Sequence, residues 1–140
     1  MATDEVTAYQ LRLQAALRRR FPQASVQTEW AAMRIEPGLY SPRLDLAVGP
    51  FATDRRYIDE YDELSQVHAE LLRSLFTIHS QNLYESGEHL SRFRFDHVIK
   101  RNQNARCYIA IEIENKVSNK HLMGGAINAA ALGRVGLAVA

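Results

Sequence analysis

The chain has 140 residues, of which 46% are hydrophobic and 24% are charged. These values exclude a wholly disordered chain, and the length fits a single domain over residues 1–140. The formal net charge is only +1, so capture of nucleic acid or of an anionic membrane by bulk charge is not expected. Because Cys107 is the single cysteine and no stretch approaches ~18 apolar residues, we expect a reducing, cytoplasmic setting and no membrane partner.

The first half of the chain predicts a helix followed by a hairpin. Apolar residues recur at spacings of three and four over residues 5–20, and Pro22 ends this helix. β-branched and aromatic residues predict strands over residues 24–35 and 43–48, joined by a Pro-Gly turn. Alternation along the second strand sorts its side chains to two faces: Leu44, Leu46 and Val48 on one, Asp45 and Ala47 on the other.

The middle of the chain predicts a helical insert. A helical stripe of apolar residues indicates one long helical region over residues 53–84. Residues 85–106 predict a loop, with at most one short element within residues 90–99.

The last part predicts a strand, a helix and a second strand. Isoleucine alternates with other residues over 106–115, which is the strongest strand pattern in the chain. A helix follows to Leu132, with Gly133 as its stop, and residues 135–140 form an apolar strand expected to be buried on both faces. The two strands must be parallel and joined by a right-handed crossover. The whole order predicts an α/β fold with a mixed central sheet of about four strands flanked by helices.

Acidic residues interrupt the two strands expected to lie centrally. Glu112 and Glu114 share one strand face, roughly 6 to 7 Å apart, and Asp45 interrupts the apolar run of the earlier strand. Like charges repel, and burial makes this worse. A divalent cation would compensate, because hard cations prefer carboxylate oxygens. A solvent-exposed face with Lys116 as the counter-charge accounts for the same pattern, so both interpretations stay open.

With these residues in this order, the chain resembles the PD-(D/E)xK, restriction-endonuclease-like nuclease superfamily. The element order matches over the whole chain, with a helical insert over about residues 53–84, and the motif matches over about ten residues. Two departures matter. Pro42 lies three residues before Asp45, and the acid-x-Lys half has two registers. Glu114-Asn115-Lys116 matches the letters, whereas Glu112-Ile113-Glu114 matches the usual strand position, with Glu114 in the place of the lysine.

The resemblance implies an endonuclease that uses Mg²⁺ or Mn²⁺ to hydrolyse phosphodiester bonds, with DNA as the expected substrate. The implied metal ligands are Asp45, Glu112 and Glu114, and Lys116 would join them in catalysis by orienting water or phosphate. Residues expected to contact nucleic acid lie on the following helix: Lys120, His121 and Asn128. Members often add an acid from the first helix, for which Glu5 is a candidate and Glu29 an alternative. Both also fit as ordinary surface residues.

An alternative function is a nuclease-like module that no longer cuts and instead binds nucleic acid or a protein partner. A chain this short carries little beyond a catalytic core, so a homodimer or a partner subunit could supply recognition. A phosphate loop, a dinucleotide-binding glycine pattern and a nucleophile elbow are all missing from the sequence. Their absence argues against kinases, dehydrogenases and serine hydrolases.

Overall fold

A computed structural model of the protein describes residues 2–32, 42–87, 94–114 and 119–140. These residues form an α/β fold in which helices flank a four-stranded mixed sheet. The helices are α1 (Ala2–Arg20), α2 (Ile58–Val67), α3 (Ala69–Glu85), α4 (Phe95–Val98) and α5 (Asn119–Leu132). The strands are β1 (Val26–Ala31), β2 (Arg43–Val48), β3 (Cys107–Ile113) and β4 (Gly133–Val139). Among the described residues, none of the helices combines the length and apolar character that a bilayer crossing requires.

The strands lie in the order β1-β2-β3-β4. β1 and β2 pair antiparallel, as do β2 and β3, which confirms the predicted hairpin. β3 and β4 pair in parallel, as the connection through α5 requires. The two inner strands, β2 and β3, therefore carry the acids that the sequence singled out.

The core consists of two clusters of buried side chains. The first joins β2 and β3 to α2 and the end of α1, with Phe21, Tyr61 and Tyr108 as its largest members. The second joins Trp30 to small side chains, including Ala129 on α5. Small residues therefore let α5 approach the sheet closely.

The helical insert differs from its prediction, since residues 53–84 do not form one helix. The helical part begins at Ile58 and is divided at His68, where α2 ends and α3 begins. The ring of His68 packs on Phe21, with 4.4 Å between centroids. This contact with the end of α1 changes the direction of the chain between α2 and α3. The spacing of apolar residues along the insert does not indicate such a contact. The short α4 lies within the stretch predicted to hold one element.

The final strand corrects two further predictions. α5 ends at Leu132, as predicted, but β4 begins directly at Gly133 rather than at residue 135. A Cβ atom at Gly133 would lie 2.4 Å from the Val135 carbonyl oxygen and 2.7 Å from the Ala110 Cβ, so close approach to β3 requires glycine. β4 is also not buried on both faces. It pairs only with β3, and Gly136 and Ala138 are exposed.

The first strand is shorter than predicted. It covers Val26–Ala31 rather than residues 24–35, and residues 33–35 fall outside the described part of the chain. β3 likewise ends at Ile113, and position 115 lies outside the described residues. β2 has the predicted bounds.

Candidate functional site

Three acids from three adjacent strands lie in one row across the sheet. The β1–β2 ladder pairs the residues on either side of Glu29 with those on either side of Asp45, so these acids are opposite each other. The β2–β3 ladder reaches Leu46 and Ile111, and one further step places Asp45 opposite Glu112. We call Glu29, Asp45 and Glu112 the acidic row.

Asp45 occupies the point where β2 and β3 stop pairing through their backbones. Its Oδ2 atom accepts a hydrogen bond from the Ile113 backbone N–H at 2.7 Å. The carboxylate thus replaces the carbonyl that a continuing ladder would offer, and the side chain is half-buried. Asp45 therefore does not lie on a fully exposed strand face.

Glu29 interrupts the regular pleat of β1. Its φ of 49° is left-handed, which is uncommon for a residue other than glycine, and its side chain is exposed. The opposite strand, β2, also departs from the predicted alternation of its side chains. Leu44 packs with Trp30 in the second core cluster, whereas alternation placed it with Leu46 and Val48, which belong to the first.

Gln10 joins α1 to this row, and sequence reasoning missed it. Its Nε2 atom donates to Glu29 Oε1 at 3.1 Å and to the Asp45 carbonyl oxygen at 2.8 Å. One turn later, Gln14 Nε2 donates to the Val26 carbonyl oxygen at 3.1 Å. Two glutamines four residues apart lie on one helix face, so this spacing beside the apolar stripe was the available signal.

Glu112 is the member of the row whose ionised form is disfavoured by its surroundings. Its Oε1 atom is buried and has no hydrogen-bond partner among the described residues. Burial raises the pKa of Glu112 to about 8, and the hydrogen bond with Asp45 and the negative charges of Asp45, Glu29 and Glu114 act in the same direction. No lysine or arginine of the described residues forms an ion pair with Glu112 or Asp45. α5 covers the side chain closely, since a Cβ atom at Gly125 would lie 3.4 Å from the Glu112 Cβ.

Glu114 and Glu5 lie beside this row rather than in it. The Glu114 backbone N–H donates to the Val139 carbonyl oxygen at 2.8 Å, which continues the β3–β4 pairing. Both glutamates line a cavity of about 280 Å³, together with Tyr9 of α1. The first helix thus brings Glu5 near Glu114, whereas its contact with the acidic row is made by Gln10.

Several predicted site residues lie outside what the structure describes. Lys116 is one of them. For Lys120 and His121 of α5, the structure describes only the backbone. The catalytic role of Lys116 and the nucleic-acid contacts of Lys120 and His121 therefore stay predictions. Asn128 is half-buried on α5.

The donor set at the acidic row suits a hard cation. Within the described ranges, no group of three or more His, Cys, Asp or Glu side chains is gathered in a metal-holding arrangement. Mg²⁺, however, keeps several waters and needs only one or two protein carboxylates. Asp45 and Glu112 offer two, and the unpartnered Glu112 Oε1 is an available ligand atom. The pair can therefore either share a proton or hold a divalent cation.

Comparison with known proteins adds no relative: no family model, no curated protein and no solved structure matches the chain. The fold and the row define an α/β protein with juxtaposed carboxylates on its inner strands.

Proposed function

We propose that the protein is a divalent-metal-dependent nuclease that hydrolyses phosphodiester bonds in DNA, built on a restriction-endonuclease-like core. The observation that carries this proposal is the opposition of Asp45 and Glu112, with a buried Glu112 oxygen that has no partner in the described part of the chain. Two half-buried carboxylates without a cationic neighbour among the described residues cost stability. A fold retains such a cost most readily where the groups have a function.

Asp45 and Glu112 would hold Mg²⁺ or Mn²⁺, with Glu114 completing the set. When bound, the cation supplies Lewis-acid chemistry: it lowers the pKa of a water and offsets charge that grows on the scissile phosphate. The chain's own residues fix the ligands. The Ile113 N–H holds one oxygen of Asp45, which leaves the other oxygen for ligation. Close packing of α5 at Gly125 limits the freedom of Glu112.

Lys116 would act on the substrate rather than on the cation. It follows Glu114 by two residues and would orient the attacking water or contact the phosphate. Lys120, His121 and Asn128 on α5 would bind the nucleic acid backbone or bases. With a net charge of +1, such local contacts and not the overall field must provide the affinity.

Nicking of supercoiled plasmid and cleavage of labelled oligonucleotides, with Mg²⁺ or Mn²⁺ and with EDTA, test this function. We expect metal-dependent cutting that falls by more than about 100-fold in Asp45→Asn and in Glu112→Gln, because each variant removes a ligand charge. Glu63→Gln, at an exposed acid on α2, is the matched control and should cut at the wild-type rate.

Three results would count against the proposal. Unchanged cutting in both row variants would remove the site assignment. Cutting that survives EDTA would remove the metal. Metal-independent DNA binding without any cutting would favour the alternative, a nuclease-like module that binds nucleic acid.

A further inference from the structure

Gln10 makes an unusual use of its side chain. It lies on α1 and is only 9% exposed. The single Nε2 atom reaches both Glu29 Oε1 and the Asp45 carbonyl oxygen, at 3.1 and 2.8 Å. A primary amide has two hydrogens to donate, so the donor capacity of Gln10 is spent entirely on two members of the acidic row.

These two bonds act at different points of the row. Asp45 is held twice, through its carbonyl by Gln10 and through its carboxylate by the Ile113 N–H. Glu29 is exposed and has a left-handed backbone, so its carboxylate could otherwise turn into solvent. The bond from Gln10 keeps that carboxylate directed along the row. The helix therefore fixes the spacing of the acids without contributing an acid itself.

We propose that Gln10 is a positioning residue for cation binding at the acidic row, acting through Asp45 and Glu29 without touching the cation. This inference rests on the proposed metal site. Outer-shell groups that orient ligating residues typically contribute 10- to 100-fold in metal affinity or activity, and Gln10 acts on the ligand Asp45 through its backbone carbonyl oxygen. We expect Gln10 to fall in that range.

The same helix offers a matched control. Gln14 is one turn further along, and it also donates through Nε2 to a backbone carbonyl oxygen of the sheet, that of Val26 at 3.1 Å. Among the described residues, no hydrogen bond joins Gln14 to an acid of the row. Replacing either glutamine by methionine keeps the side-chain length and removes the donors. A purely structural role of the α1–sheet bonds predicts similar effects for both variants.

The experiment measures Mn²⁺ binding to metal-free protein by the loss of the free-ion EPR signal, together with cleavage at varied Mn²⁺ and DNA concentrations. For Gln10→Met we expect a Kd for Mn²⁺ raised at least about tenfold, with the KM for DNA unchanged and cleavage restored by excess Mn²⁺. For Gln14→Met we expect a Kd within about twofold of the wild-type value, whatever the change in Tm. If Gln10→Met does not fold, Gln10→Asn replaces it, because its shorter amide cannot reach both acceptors.

The outcomes separate this inference from the proposed function. A wild-type Kd in Gln10→Met, or an equal loss in Gln14→Met, overturns the role of Gln10 while the nuclease assignment stands. Mn²⁺ binding that depends on Gln10 in a protein that never cuts DNA supports the role of Gln10 and removes the nuclease. Absence of Mn²⁺ binding by the wild-type protein overturns both.

Discussion

Arg134 and Glu112 are both ionisable side chains on adjacent strands, yet their surroundings differ sharply. The Arg134 side chain is only 1% exposed. Its guanidinium donates to the carbonyl oxygens of Ile99 and Asn102, each at 3.0 Å, and to Asp62 Oδ1 at 2.5 Å. Each of the three guanidinium nitrogens thus donates to an acceptor, and β4 is tied to α2 and to the end of α4.

Glu112 has the opposite surroundings. Its neighbours in the row are negative, and its Oε1 atom has no partner. A buried charge with a full set of partners locks a fold, whereas a buried charge without them destabilises it unless something else binds. The contrast therefore assigns Arg134 to structure and the acidic row to function.

The largest expected effect is the loss of stability when Arg134 is replaced. Arg134→Ala leaves Asp62 and two carbonyl oxygens without their donor, and we expect a loss of about 3 kcal/mol in the free energy of unfolding. Urea denaturation followed by circular dichroism measures it. Arg55→Ala is the control, because the Arg55–Glu60 pair is exposed, and it should lower the free energy of unfolding far less than Arg134→Ala does. Equal losses in the two variants would contradict the contrast.

A smaller effect concerns pH. The pKa of Glu112 in the folded protein is raised from 4.5 to about 8. Between these values the folded state binds more protons than the unfolded state, so this group makes stability fall as pH rises from about 4.5 to 8. After allowance for solvent screening of a half-buried group, we expect a fall of about 2 kcal/mol in metal-free protein. Urea midpoints at a series of pH values in EDTA would show it, and a flat profile in this window would refute it.

Removal of the Glu112 charge should stabilise the protein while it abolishes the proposed activity. Glu112→Gln keeps the shape and removes this titration, so at pH 8 without metal we expect a gain of about 2 kcal/mol in the free energy of unfolding. The gain should disappear near pH 4.5, where the wild-type carboxyl is protonated. Mg²⁺ should raise the Tm of the wild-type protein but not that of the variant. A destabilised Glu112→Gln at pH 8 would mean that the carboxylate has a partner after all.

The smallest effect compares two adjacent glycines of α5. A Cβ atom at Gly124 meets no atom within 4 Å, so Gly124→Ala should stabilise the protein by roughly 0.5 to 1 kcal/mol through helix propensity. Gly125→Ala places its Cβ 3.4 Å from the Glu112 Cβ and should gain less. Thermal melts of the two variants measure the difference. A larger gain in stability for Gly125→Ala than for Gly124→Ala would show that α5 does not pack closely against the acidic row.

Local sequence patterns predicted the elements well where polar or glycine-rich turns bound a short apolar run. β2 has the predicted bounds, and β3 and α5 are close to theirs. Predictions failed where distant contacts decide. The division of the insert at His68 follows from packing on Phe21, which is 47 positions earlier in the chain. The exposure of β4 follows from its place at the edge of the sheet, which its composition did not indicate.

For the candidate site, the alternating pattern marked Asp45, Glu112 and Glu114 because acids in apolar strands are locally visible. It left Glu29 among the surface candidates and missed Gln10, since nothing local marks a helical glutamine that bonds across to two strands. No sequence pattern singled out Arg134, and only its three acceptors reveal its role.

The amino-acid sequence by itself determined which segments become helices and strands, their order, and which carboxylates interrupt apolar strands. These properties depend on side-chain chemistry and spacing over a few residues. Only the tertiary structure decided that three acids share one row, that one buried oxygen among them has no partner in the described residues, and that a helix contacts the row. Register between strands and burial of a side chain are set by contacts between residues far apart in the chain, so no local pattern contains them.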